Sequence, residues 1–315
     1  VECVRVAEIV VAIPTYRRPV GLTRLLEALA ALETRARVTI VIADNDAGGR
    51  QGLEAAGRLV RAGYRWPVEA AVVEERGISQ VRNMLVARAL TLVEGDFFLA
   101  MLDDDEWPRS DWLEALLRVQ GETGADIVQG PVLCYFPKPP APWAELSNEC
   151  KPPRTGSGPI AQANAGGNML IASAALRRMP APWFDAQFGL TGGEDKDFFM
   201  RMAQLGTRFA WAEDAVAYTT VPETRMTLDW ALKRAFRAGN CDLRILRKYD
   251  RSLGTLARES AKLAGALVLS PLAFVAGAAN PQRRAQAAFT FARALGKAAV
   301  PFGAEYREYR RTHGT

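Results

Sequence analysis

The stretch from Phe97 to Pro108 constrains this chain more than any other. An apolar run of strand length, Phe97-Phe98-Leu99-Ala100-Met101-Leu102, ends in Asp103-Asp104-Asp105-Glu106-Trp107-Pro108. Carboxylates packed this closely repel one another, so their ionised forms need positive charge nearby. Hard divalent cations such as Mg2+ or Mn2+ take such oxygen ligands and bridge them to phosphate oxygens. A solvated acidic loop after an ordinary strand is the plainer reading of the same residues. Pro108 is expected to stop the strand, with a helical pattern starting near Asp111.

The surroundings decide between these readings. Ile9–Ile13 and Val38–Ala43 are continuous apolar runs that predict buried strands, and Val68–Val73 and Ile127–Leu133 predict two more. Between them lie helical stripes: Leu22, Leu25, Leu26, Leu29 and Leu32, then a polar helix over 53–62, then one over 77–93 with Val81, Leu85, Ala89 and Leu92 on its apolar face. Strands alternating with helices predict an α/β fold, a mostly parallel Rossmann-like sheet flanked by helices. Ligands of such sheets sit at the carboxyl ends of the strands. Polar residues recur there: Thr15, Tyr16 and Arg17 after the first strand, Asp44 and Asp46 after the second, and Asp103–Asp105 after the fourth.

Other chemistries lose their support. His313 is the single histidine, so a histidine base, a Ser-His-Asp triad or a multi-histidine metal site is not expected. Cys3, Cys134, Cys150 and Cys241 contain no Cys-x-x-Cys pair, which argues against a zinc site or disulfide framework. No glycine-rich dinucleotide fingerprint follows the first strand, and no P-loop occurs. Acid–base work falls to carboxylates. Beyond Leu133, seven prolines crowd residues 134–166, which read as a long loop. A strand at Met169–Ala172 follows. The acidic run Glu194-Asp195-Lys196-Asp197 then opens a helix that Gly206 closes, and helix-terminus stabilisation alone would account for those acids. Two short strands near Arg208–Trp211 and Ala215–Thr220 complete this part.

Charge divides the chain at about residue 230. Residues 1–230 carry a net −6 and residues 231–315 a net +11. The expected division is therefore a catalytic domain over 1–230 and a basic, apolar helical tail over 231–315. The tail opens with a basic helix over 228–249. Residues 263–279 are uncharged with Pro271 in the middle, and a second apolar run over 285–300 is broken by Arg293 and Lys297. Apolar helices beside basic clusters predict an interfacial membrane element, with a buried hairpin or a protein interface as the other reading. Interleaved apolar runs suit a membrane surface better than nucleic acid. Ile9–Ile13 is too short for a signal-peptide core, so a cytoplasmic location, peripheral on the inner face of the membrane, is expected.

The motifs Val11-Ala12-Ile13-Pro14-Thr15-Tyr16-Arg17-Arg18, Ile42-Ala43-Asp44-Asn45, Arg82-Asn83, Leu102-Asp103-Asp104-Asp105, Gly167-Asn168-Met169-Leu170, Phe184-Asp185 and Gly193-Glu194-Asp195 occur in that order. Taken together they resemble the family-2 glycosyltransferases with a GT-A fold, and among them bacterial exopolysaccharide glucosyltransferases of the succinoglycan-assembly type. The resemblance spans about residues 8–240. It implies transfer of a sugar from a nucleotide-diphosphate donor, UDP-glucose first, to a saccharide hydroxyl on a polyprenyl-diphosphate carrier. It implies a divalent metal, Mn2+ or Mg2+, held by Asp105 with Asp103 shared between metal and ribose and Asp104 unassigned between them. It places Pro14, Thr15, Tyr16, Arg17, Asp44 and Arg82 around the nucleotide. It makes Asp195 the base for the acceptor hydroxyl, with Glu194 as its helper, and hence an inverting reaction.

Arg225, Arg234 and Arg237 are candidates to clamp the diphosphate or to meet lipid head groups, and Trp143 and Trp183 to stack on an acceptor sugar or simply to pack. A non-catalytic nucleotide-sugar-binding protein and a nucleotidyltransferase are the two other readings. The intact Glu194-Asp195 pair argues against the first, and the missing glycine-rich loop against the second.

Overall fold

The computed structural model describes residues 6–144, 154–163 and 166–303; Cys3, Cys150 and His313 lie outside them. The elements run β1 Glu8–Thr15, α1 Pro19–Ala30, β2 Arg37–Asp44, α2 Gln51–Arg61, β3 Val68–Val72, α3 Ile78–Leu92, β4 Phe98–Met101, β5 Glu106–Pro108, α4 Trp112–Thr123, β6 Ile127–Gln129, β7 Val132–Tyr135, β8 Gly158–Ile160, β9 Met169–Ala172, α5 Ser173–Arg178, α6 Glu194–Gln204, β10 Phe209–Trp211 and β11 Ala217–Thr220. Three long helices follow: α7 Leu228–Tyr249, α8 Leu253–Ala276 and α9 Pro281–Ala299.

The main sheet has the order β3-β2-β1-β4-β9-β6-β10-β8. Strands β3, β2, β1 and β4 are parallel, and β9 runs antiparallel to both β4 and β6. Strand β1 explains why helices cover both faces. Ile9, Val11 and Ile13 point into one apolar layer with Leu22, Leu25, Leu29, Trp112 and Leu116. Val10 and Ala12 point into the other with Val81, Leu85, Leu176, Phe198 and Phe199. Alternation of period two thus feeds two cores from one strand. The strand order reverses between β1 and β4, which opens a crevice at their carboxyl ends.

The structure departs from the sequence reading in four places. The run over 127–133 is two strands in two sheets, because Pro131 offers no N–H to continue a ladder. Strand β6 stays in the main sheet, while β7 joins β5 and β11 in a three-stranded sheet. Asn168, fully buried with φ +46°, holds this division: its Nδ2 donates to the carbonyls of Pro131 (2.7 Å) and Ala215 (2.8 Å), and its Oδ1 accepts from Trp112 Nε1 (2.6 Å). The apolar run closes at Met101, and the strand that ends at Pro108 is a separate one, Glu106–Pro108, paired antiparallel with β11. The proline-rich stretch is not all loop either, for β8 within it pairs antiparallel with β10. Cys134 is disulfide-bonded where free thiols were expected, and Cys241 is free and buried.

Helix α9 packs along α7 backbone to backbone. A Cβ on Gly239 would meet the Arg293 carbonyl oxygen at 1.9 Å, and one on Gly296 would meet that of Phe236 at 1.9 Å. Helix α8 begins at Ser252, whose hydroxyl accepts from Thr255 N, and continues through Pro271. It rests on α9 and leaves Leu253, Val268, Leu269, Leu272 and Val275 exposed.

Asn168→Ala removes three side-chain hydrogen bonds and strands buried partners. It is expected to destabilise the fold by about 3 kcal/mol or more, measured by urea denaturation.

Candidate active site

The three aspartates after β4 do different jobs. Asp104 turns back into the protein. Its Oδ2 accepts from Thr15 Oγ1 (2.8 Å) and the Tyr16 backbone N–H (3.2 Å), and its Oδ1 from Arg18 Nη1 (2.9 Å). It thereby fixes the turn from β1 to α1. Burial pushes its carboxyl up to about 6 against the pull of Arg18. Asp105 takes the same Arg18 Nη1 at 2.7 Å, and its side chain is 28% exposed. Asp103 is 37% exposed and accepts from Arg82 Nη2 at 3.1 Å. Behind them Glu106 is buried, its Oε2 accepting the Asp103 N–H at 3.1 Å. Burial, reinforced by the charges of Asp103 and Asp105, raises the Glu106 carboxyl well above the usual carboxylate range.

The end of β2 is a second acidic corner. Asp44 is fully buried with both oxygens on backbone N–H groups: Oδ1 accepts from Asp46 (2.9 Å), and Oδ2 from Gly52 (2.8 Å) and Leu53 (3.2 Å). It holds the turn into α2. Asn45 ties the turn before α3, bonding the carbonyls of Val73 and Glu75 and the N–H of Gly77. Asp46 accepts from Arg17 Nε at 3.0 Å, while its Oδ2 is buried with no hydrogen-bond partner among the described residues. Tyr16 lies between the guanidinium groups of Arg17 and Arg76, 5.1 and 4.6 Å from its ring centre.

Arg82 joins this edge to the far side of the crevice. It is buried on α3 and donates through Nη1 to Glu194 Oε1 at 2.9 Å while holding Asp103. Glu194 opens α6 after Gly192 and Gly193, whose φ of +75° and +97° favour glycine. Burial, helped by the Asp195 charge, pushes the Glu194 carboxyl up to about 7 against Arg82. Its Oε2 is buried with no hydrogen-bond partner among the described residues. Asp195 is half-buried beside it, its Oδ1 accepting the Lys196 N–H at 2.7 Å.

Helix α7 backs the same loop. Cys241 Sγ sits 3.1 Å from the Gly192 carbonyl oxygen, and Arg244 donates to Thr191 Oγ1 at 2.9 Å. Lys248 and Tyr249 both reach Asp197 at 2.6 Å. Arg237, also on α7, lies close enough to Glu194 to act on its charge.

Comparison with known proteins names the group to which these motifs belong. The family described as Glycosyl transferase family 2 matches residues 10–180. The succinoglycan biosynthesis protein ExoM of Rhizobium meliloti (strain 1021) is 36% identical over 248 residues, covering 75% of this chain and 74% of that protein. The chain belongs to glycosyltransferase family 2. Its fold is that of S. aureus TarS in complex with UDP, at TM-score 0.53 and 15% identity over 95% of this chain and 93% of that one. It is also that of the mannosyltransferase PcManGT from Pyrobaculum calidifontis in complex with GDP-Man and Mn2+, at TM-score 0.60 and 18% identity over 92% and 86%. The fold is thus GT-A, and the chain is a glycosyltransferase.

Within this family-2 enzyme, the crevice gathers Thr15, Asp103, Asp104, Asp105, Arg82 and Glu194 through the bonds above. Trp183 packs against the core and donates to the Leu176 carbonyl at 3.1 Å, and Trp143 meets Phe289 edge-on. Arg225 and Arg234 lie over Trp230. Sequence reasoning assigned no role to Arg18 or Glu106. Arg18 stood inside a quoted motif, but only the fold shows that it bridges two carboxylates 86 and 87 positions away.

The raised Glu194 gives a pH signature. Because its folded value of about 7 lies above its ordinary 4.5, the carboxyl favours the folded state when protonated, and that contribution is lost as pH rises from about 4.5 to about 7. Glu194→Gln lacks this titration. The stability of the native protein relative to the variant should therefore fall across that window in urea denaturation.

Proposed function

We propose that this enzyme is an inverting, divalent-metal-dependent transferase. It moves a sugar from a nucleotide diphosphate, UDP-glucose as first candidate, to a hydroxyl of a saccharide carried on a polyprenyl diphosphate. The product belongs to exopolysaccharide or cell-surface glycan synthesis, the role that ExoM's name gives that relative. The observation that carries the reading is the pair of outward carboxylates, Asp103 and Asp105, of which Asp103 is joined across the crevice by Arg82 to Glu194, the neighbour of Asp195.

The donor set fits a hard cation. Asp103 and Asp105 are hard oxygen ligands, both partly exposed. Their negative field, which adds to burial in raising the Glu106 carboxyl, is one that a cation would relieve. No cluster of three or more metal-ligating side chains occurs among the described residues. Two carboxylates completed by diphosphate oxygens and water is the usual Mg2+ arrangement, and Mn2+ accepts the same ligands. A cation held by Asp105 and Asp103 would supply positive charge to the diphosphate leaving group.

The chain's own residues supply the rest. Pro14, Thr15, Tyr16 and Arg17 line the nucleotide. Asp44 shapes the turn that presents Asp46, whose free oxygen suits a donor on the nucleoside. Asp104 braces this wall against α1. Arg82 holds Asp103 and Glu194 at fixed separation, and Arg237 adds positive charge from α7. Asp195 accepts the proton of the acceptor hydroxyl. The acceptor oxygen bonds to the anomeric carbon as the bond to the diphosphate breaks on the opposite face, so an α-linked donor gives a β-glycoside.

Asp195→Asn is expected to abolish transfer while nucleotide binding persists, and EDTA to stop the native enzyme. Nucleoside diphosphate release over a panel of nucleotide sugars is the measurement. Full activity of the variant overturns the base assignment, and pyrophosphate release from a nucleoside triphosphate and a sugar 1-phosphate, with no transfer from nucleotide sugars, favours a nucleotidyltransferase.

Helix α8 supports the peripheral membrane reading. It is long and apolar enough to cross a bilayer by length and composition, yet only 6% of its apolar window is buried. Arg258, Lys262, Arg283 and Arg284 sit on the same hairpin, suited to anionic head groups. The native protein should float with anionic liposomes, and Leu269→Glu combined with Leu272→Glu should not. A native protein that stays in the dense fraction contradicts this.

A further inference from the structure

The catalytic pair sits on a segment with little rigidity of its own. Gly192 and Gly193, both left-handed, precede Glu194, and the first-turn N–H groups of α6 have no partner within the helix. Arg82 fixes Glu194 through Nη1 and Asp103 through Nη2. What fixes the next residue comes from α7. Lys196 Nζ donates to Asp242 Oδ1 at 2.5 Å, and the second oxygen of Asp242 accepts Arg293 Nε from α9 at 3.0 Å. The Asp242 side chain is only 16% exposed, so its two cations are held at a largely desolvated carboxylate rather than in open water. Asp195 Oδ1 in turn takes the backbone N–H of Lys196, so the residue anchored by Asp242 directly orients the Asp195 carboxylate.

The other end of this link is rigid. Gly239 and Gly296 bring α7 and α9 into backbone contact at two points, and Asn240 Nδ2 donates to the Gly296 carbonyl at 3.2 Å. Helices packed this closely move together. Lys297, one turn beyond Arg293, bonds Glu259 of α8 at 2.9 Å, and that carboxylate also takes Lys262, which holds it down at about 2. The hydrogen-bonded line therefore runs from Asp195 through Lys196, Asp242 and Arg293 to α9, and from α9 to α8.

We propose that Asp242 is a positioning residue for the transfer reaction, orienting Asp195 through Lys196 and tying that orientation to the α8–α9 hairpin. The roles of Asp195 and of the hairpin rest on the transferase reading above; the mechanical link does not. An isolated exposed ion pair contributes little, roughly 0.2–1 kcal/mol. The shared Asp242 matters through geometry instead, because small misplacements of a catalytic group can cost on the order of a hundredfold in rate.

The experiment compares the native full chain with Asp242→Asn, Asp242→Glu and the half-exposed Arg293→Gln. Backbone hydrogen exchange over residues 191–197 is expected to quicken in Asp242→Asn and Arg293→Gln. With a nucleotide sugar that the native enzyme turns over, kcat should fall about tenfold or more in Asp242→Asn while donor KM stays within about twofold, and Asp242→Glu should recover part of the loss. Exchange that is unchanged in both variants overturns the proposal. So does quickened exchange with native kcat, or a loss confined to donor KM. If the native protein turns over no nucleotide sugar, the transferase reading fails, and the exchange measurement still decides the link.

Discussion

Like charges crowded at one end of a buried sheet are the constraint on which this molecule turns. Asp103, Asp104, Asp105 and Glu106 follow one another at the carboxyl end of β4, and Asp44 and Asp46 stand at the end of β2. Two arginines make the arrangement tolerable. Arg18 reaches Asp104 and Asp105, and Arg82 reaches Asp103 and Glu194. The buried members are left with carboxyls pushed upward by burial, Asp104 to about 6 and Glu106 well above the usual carboxylate range. The outward members keep exposed oxygens. A single acidic run is thus divided into a half that faces the core and a half that stays partly exposed at the crevice.

The same division explains why so much of the motif set is architectural. Asn45, Asp44 and Asn168 spend their polar atoms on backbone groups of other segments, holding the β2 turn, the loop before α3 and the split between β6 and β7. Short polar side chains at the ends of strands are well suited to this, since they satisfy backbone groups that no ladder reaches. The site is precise because the residues beneath it have no freedom left.

The fold class was legible in the sequence because its signal is local: apolar runs of strand length ending in polar residues, separated by stripes of helical period. The family was legible for the same reason. What escaped were partnerships across long separations. The run over 127–133 reads as one strand; Pro131 is a local sign of the break, but that its second half pairs with β11 in another sheet depends on distant partners, Asn168 among them. Glu106 has no role legible in the sequence, yet it lies buried under Asp103. Helix α7 read as the start of a basic tail by composition, but Cys241, Asp242, Arg244, Lys248 and Tyr249 contact the segment that carries Glu194 and Asp195. Charge counts report solvent preference and say nothing of which residue a given arginine will meet.

The proposed transfer chemistry depends on whether Asp103 and Asp105 form a cation–diphosphate site. Calorimetric titration of UDP into the native chain and into Asp105→Asn, each with and without Mn2+, tests this directly. The account predicts that Mn2+ tightens UDP binding to the native chain by about tenfold or more, and that the variant loses this enhancement. Equal UDP affinity with and without the metal, or an enhancement that survives in Asp105→Asn, would contradict it.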